Sequence, residues 1–169
     1  MKELVLIRGY PGSGKTTLGK ALANNTDYVF VDHNAILTFI ASFTGNDKGI
    51  YDDINNLELA ITKKLLGEGK SVIVARGFSR PSSLFPYIKL AKSQMAKSLV
   101  LRLEVPLEVL AQRVKSLDRA KDFNPTKSQS SLTAWVSNNP IKDYHGEMLL
   151  DATQGINHLV ELVSSTHGT

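Results

Sequence analysis

The chain has 169 residues, 42% of them hydrophobic and 21% charged, a formal net charge of +4 and no cysteine. That length suits one domain with a sizeable core rather than two, and the apolar runs are broken by charge too early for a membrane span. The missing thiols exclude a disulfide framework or a cysteine-ligated metal, and the mild basic excess suits a phosphate-rich partner, a nucleotide or a nucleic acid.

In chain order, Glu3 to Ile7 reads as a buried strand, its apolar core too short for a signal peptide, so a cytoplasmic protein is expected. Helical spacing follows over Thr16–Asn24, then a strand over Tyr28–Val31 and a helical region from about Ala35 that Gly45-Asn46-Asp47-Lys48-Gly49 interrupts. Helix is expected at Asp52–Leu66, Pro81–Lys92, Leu107–Leu117 and Ile156–Val163, and strand at Ser71–Ala75, Ser98–Leu103 and Met148–Leu150. Alternation of this kind predicts an α/β three-layer sandwich with a five-stranded parallel sheet, its ligands beyond the carboxyl ends of the strands. Residues 116–131 are polar and rich in Lys, Ser and Asp, a composition suited to a lid.

Between the first strand and the first helix stands Gly9-Tyr10-Pro11-Gly12-Ser13-Gly14-Lys15-Thr16, which fills the phosphate-loop pattern G-x-x-x-x-G-K-[ST]. Backbone N–H groups can wrap a triphosphate closely where Cβ atoms are absent, which is the use of Gly9, Gly12 and Gly14, with Pro11 stiffening the turn. The helix aims its positive end at the phosphates, Lys15 reaches the β and γ oxygens, and the Thr16 hydroxyl suits Mg²⁺. Ser13 and Thr17 complete the expected contacts, with ATP and Mg²⁺ as the ligands. The alternative is a glycine-rich turn that merely joins strand to helix.

Phosphoryl transfer needs charge neutralisation and alignment. Asp32, closing the second strand, is positioned to ligate Mg²⁺ through water or to accept the acceptor's proton, and its competing role is an N-cap for the next helix. His33 beside it reads as a loop residue. The third strand ends in Arg76-Gly77, where many phosphate-loop motors carry an aspartate, so a motor is not expected. Arg76 and Arg80 suit an anionic acceptor or the transferred group, or are solvated loop arginines. Arg113 is placed to reach the nucleotide and Arg119 to close over the γ-phosphate, a solvated helix face being the alternative for both. Trp135 shares helical spacing with Leu132 and is expected in the core.

Together, the Pro-Gly-Ser-Gly-Lys core, the strand Ser71-Val72-Ile73-Val74 followed by Arg80-Pro81, and Val105-Pro106-Leu107-Glu108-Val109-Leu110-Ala111-Gln112-Arg113 resemble the small P-loop kinases. Within them the likeness is to bacteriophage-type polynucleotide 5′-hydroxyl kinases, in the AAA-like and zeta-toxin-like branch. The resemblance implies the kinase form of the P-loop nucleoside triphosphate hydrolase fold, ATP as donor, and Arg113 or Arg119 as lid arginines. That family's activating Asp and the Arg three positions on fall here at Asn34 and Leu37. Aligned with the Asp-x-Asp of shikimate and gluconate kinases, Asp32 matches the first position and Asn34 the second, substrate-handling one.

The sequence therefore points to an ATP-dependent kinase whose acceptor hydroxyl belongs to a polynucleotide 5′ end or a nucleotide-like molecule. A small metabolite, sugar or antibiotic is the alternative acceptor, and a regulatory ATPase module the alternative of another class. Replacement of Lys15 is the direct check: Lys15→Ala should abolish nucleotide binding or turnover, and retention of both within a few fold in a nucleotide titration and a turnover assay would overturn the loop assignment.

Overall fold

A computed structural model describes residues 1–44, 50–114 and 129–166. In it five strands, β1 (Glu3–Gly9), β2 (Val29–Asp32), β3 (Val72–Ala75), β4 (Lys97–Glu104) and β5 (Met148–Asp151), form one sheet in the order β2-β3-β1-β4-β5. Every pairing is parallel, with Leu6 opposite Val74 on one side and Val100 on the other. The helices are α1 (Lys15–Asn25), α2 (His33–Thr44), α3 (Ile50–Gly67), α4 (Phe85–Ser93), α5 (Leu107–Val114), α6 (Gln129–Asn138) and α7 (Ile156–Ser165).

The strand period of two sorts the core into two layers. Val5, Ile7, Ile73, Leu101 and Leu150 face Leu18 and Leu22 of α1 and Leu159 and Val163 of α7. Leu4, Leu6, Val72, Val74 and Val100 face Leu66 of α3 and Tyr87, Leu90 and Ala91 of α4. Every residue of β1 is buried, because the strand has a neighbour on each edge and helices on each face. Crossovers of this kind place the strand ends, and the loops they feed, along one edge of the sheet.

Two segments depart from the sequence reading. The stretch expected as one helix over Pro81–Lys92 is a short 3₁₀ turn at Pro81–Ser83 followed by α4, because a second proline, Pro86, restarts the helix in its first turn. Polar 116–131 gives way to helix at 129, earlier than expected, and Leu132 of α6 packs on Leu110 and Ala111 of α5. The remainder of 116–131, with Arg119, and the segment 45–49 lie outside the described residues. No described helix is long and apolar enough to cross a membrane.

One close approach seats the phosphate-loop helix on the sheet. A Cβ added at Gly19 would lie 2.4 Å from Cε2 of Phe30, so β2 and α1 meet at this distance only because residue 19 is glycine. Gly19→Ala should destabilise by about 1–2 kcal/mol, the overpacking cost exceeding the helix propensity gained. Thermal melts should show the loss, with recovery in Gly19→Ala combined with Phe30→Leu; an unchanged or raised melting temperature in the single variant would refute the account.

Candidate active site

The loop after β1 is folded as a cradle by its own hydrogen bonds. The Ser13 amide donates to the Tyr10 carbonyl at 3.1 Å, and the Lys15 ammonium donates to the same carbonyl at 2.8 Å. At Gly9 (φ 153°) a Cβ would stand 2.7 Å from Ser13 Oγ and 3.1 Å from the Leu103 carbonyl, so the loop can turn this tightly only without one. Gly14, with φ 97°, caps α1 in the left-handed region and leaves the first N–H groups of that helix facing the loop. The Ser13 hydroxyl is buried and has no hydrogen-bond partner among the described residues. An unsatisfied hydroxyl beside a lysine and a helix N-terminus is chemistry that fits a phosphate.

Beside the cradle is a cleft of about 350 Å³ lined by Gly12, Ser13, Gly14, Thr17, Arg113, Gln154 and neighbouring apolar residues of the β5–α7 region. Arg113 spans it, donating to the Ala152 carbonyl at 2.8 Å and to the Ser13 carbonyl at 3.4 Å. The arginine expected near the nucleotide thus ties the phosphate loop to the turn after β5. Thr17 is exposed on the cleft wall, and Thr16 is half-buried.

Asp32 and His33, adjacent in sequence, serve opposite faces of the sheet. Asp32 faces α1 with Phe30: its Oδ2 lies 3.9 Å from the Lys20 ammonium, and Lys20 shares a helix face with Thr16 four residues earlier. Its Oδ1 accepts the Asn34 amide at 3.0 Å, the N-cap bond of α2. Capping and metal chemistry are therefore not exclusive, since each uses a different oxygen. Asn34 makes its described contact through that backbone amide.

His33 is not in a loop, as the sequence suggested, but opens α2, held by a partner that sequence reasoning missed. Its Nδ1 lies 2.7 Å from Oε2 of Glu58, a fully buried carboxylate on α3. Oε1 of Glu58 accepts from the Tyr87 hydroxyl and lies 3.4 Å from Nη1 of Arg76. Burial and the Glu58 charge push the Tyr87 phenol up, so it stays protonated and donates. Arg76 also lies over the Phe78 ring, 5.1 Å from its centroid, and Phe78 meets Tyr87 edge-on at 5.3 Å. Phe78 has φ 42°, a left-handed conformation that bulky residues rarely adopt, which marks the turn after β3 as constrained. Arg80, at the end of that turn, is exposed.

A strap completes the wall. Arg8 of β1, with no exposed surface, donates to Glu147 at 3.0 Å and to the Lys142 carbonyl at 2.8 Å. The Lys142 amide reaches the Ser79 carbonyl at 3.0 Å, and the Ile141 amide donates to the Tyr10 hydroxyl at 3.2 Å. Residues 139–147 are thereby fastened across the strand ends, and Trp135 meets Tyr10 edge-on at 6.1 Å, half-buried rather than in the core.

A parallel sheet of this order, with a phosphate loop after its central strand, is the fold of the P-loop kinases. The chain belongs to the AAA domain family, whose model matches residues 4–135. A shikimate kinase of Azobacteroides pseudotrichonymphae is 25% identical over 150 residues, covering 84% of this chain and 82% of that protein. Among solved structures, one from Chloroflexus aurantiacus superposes with a TM-score of 0.79 at 18% identity over 97% of both chains. A gluconokinase from Sinorhizobium meliloti superposes at 0.62 and 22% identity, over 94% of this chain and 87% of that one. The protein is a phosphotransferase of the small P-loop kinase class.

The two oxygens of Asp32 can be separated by substitution. Asparagine caps helices as well as aspartate does, so Asp32→Asn should leave the melting temperature unchanged while lowering turnover about 10- to 100-fold, the range for a group that acts on a metal through water. Unchanged turnover in a coupled ADP assay would leave Asp32 as a cap only.

Proposed function

We propose that the protein transfers the γ-phosphoryl group of ATP to a hydroxyl of a small metabolite. The observation that carries this reading is the likeness of the chain, over most of its length, to proteins named shikimate kinase. Buried Glu58 draws His33, Arg76 and Tyr87 into one compact cluster, and the strap at 139–147 walls the adjoining strand ends. Likeness to proteins named shikimate kinase and gluconokinase supports the same choice over the polynucleotide 5′ end that the motifs favoured.

In this reading Lys15 and the loop amides from Gly9 to Gly14 hold the β and γ phosphates, with Pro11, Ser13 and Thr17 shaping their cradle. The orphan Ser13 hydroxyl and the positive-φ glycines fit that ligand. Thr16, directly, and Asp32, through water, would hold Mg²⁺, which supplies charge neutralisation to the transferring phosphoryl oxygens. Arg113 orders the nucleotide cleft. Arg119 remains a second arginine proposed from sequence. Arg76, Arg80 and Asn34 border the acceptor.

The test is label transfer from [γ-³²P]ATP to a panel containing shikimate, gluconate, other sugars, aminoglycosides, nucleosides and 5′-hydroxyl oligonucleotides. Label on a hydroxy acid, sugar or antibiotic is the expected outcome. Transfer to oligonucleotides alone would overturn the acceptor class, and label in free phosphate alone would indicate a regulatory ATPase.

A further inference from the structure

Neither Asp32 nor Asn34 is placed to serve as a base on the face of the sheet away from α1. Asp32 is turned towards α1, and Asn34 cannot accept a proton at neutral pH. His33 stands at the carboxyl end of β2, on the face away from α1, with its side chain 15% exposed. We propose that His33 Nε2 takes the proton of the acceptor hydroxyl, and that Glu58 positions it for that task; this rests on the kinase reading above.

Hydrogen-bond accounting fixes the tautomer of the neutral imidazole. Three donors converge on Glu58: the Tyr87 hydroxyl and Arg76 guanidinium at Oε1, and the imidazole at Oε2. A buried carboxylate next to a guanidinium accepts and has no proton to give, so the Nδ1 of His33 carries the hydrogen. The lone pair is then left on Nε2, which has no hydrogen-bond partner among the described residues. The arrangement follows the general pattern of a base oriented by a third group. Its charged surroundings are Glu58 on α3, with Arg76 after β3 and Tyr87 on α4 behind it, and Asp32 next in the chain with Lys20 of α1 against it.

The step balances without a further reactant. As the acceptor oxygen forms its bond to the γ-phosphorus, the bond from that phosphorus to the β–γ bridging oxygen breaks and ADP leaves with the electron pair. The hydroxyl proton passes to Nε2, and imidazolium returns it to water after product release. Arg76 and Tyr87, which do not reach the imidazole directly, act through Glu58 as positioning residues.

Two measurements on the full chain test this. Long-range ¹H–¹⁵N correlation at neutral pH, with the His33 signals assigned by their loss in His33→Gln, should show the Nδ1–H tautomer; an Nε2–H tautomer would overturn the proposal. With the acceptor that the panel identifies, His33→Gln should lower kcat about 100-fold or more while the affinity for a fluorescent ATP analogue and the melting temperature stay within twofold and a few degrees. A kcat within threefold of wild type overturns it. Glu58→Gln should lower kcat less than His33→Gln and raise the share of the Nε2–H tautomer in the same spectra, because the carboxylate that keeps the hydrogen on Nδ1 has gone and an amide can donate to Nδ1 instead; an unchanged tautomer would defeat its positioning role. A wild-type protein that binds ATP but phosphorylates nothing in the panel defeats the kinase reading, and His33's role with it, whereas normal transfer by His33→Gln defeats the His33 assignment alone.

Discussion

Arg8 is a guanidinium that water does not reach, next to the carboxyl end of the central strand. Burial pulls its pKa down, and the Glu147 carboxylate at 3.0 Å is the chief force opposing that. Glu147 in turn takes Arg102 at 3.3 Å and the Tyr144 amide at 3.1 Å. Loss of one partner from such a buried pair costs about 3–5 kcal/mol, whereas replacing both with apolar groups can be neutral for stability. Its value is therefore one of specification. Only a polar partner in β1 can recruit the carbonyl of Lys142 and the carboxylate of Glu147 together, and this brings residues 139–147 over the strand ends instead of into solvent.

The phosphate loop depends on the same strand from its other side. Ile7 and Gly9 bracket Arg8, so the residue that anchors the wall and the residue that opens the cradle are covalent neighbours. The Tyr10 carbonyl receives both an amide and an ammonium, while the Tyr10 hydroxyl receives the Ile141 amide and its ring meets Trp135. Cradle, wall and α6 therefore share one tyrosine. The Arg113 bridge from Ser13 to Ala152 fixes the far side of the loop in the same way.

Much of this architecture was legible in the sequence because its signals are local. Five apolar runs between turn residues located the five strands, and the phosphate loop announced its own setting between strand and helix. The cluster around Glu58 was not legible, because it is made of pairs distant in the chain. His33 and Glu58 are separated by 25 residues, and Glu58 and Tyr87 by 29. In sequence Glu58 is one carboxylate in an amphipathic helix and reads as solvated; only the packing of α3 on β2 and β3 turns it inward. Arg8 gave a fainter clue, a lone cation inside an otherwise apolar run, of the kind that calls for a buried partner. The helix at Gln129–Asn138 was hidden by its polar composition, since only a short apolar stripe seats it on α5.

The division of labour between Asp32 and His33 is set by strand parity. Phe30 and Asp32 look towards α1, while Val31 belongs to the opposite layer and His33 follows it to Glu58. Two chemistries are thus separated by the thickness of a single sheet, with no intervening residue. Deletion or insertion of one residue within Val29–Val31 would exchange them, sending the carboxylate to the face covered by α3 and the imidazole to the face covered by α1. Length in this strand is consequently fixed more strictly than composition, and natural variation at the site should change the residues in place and leave their count alone.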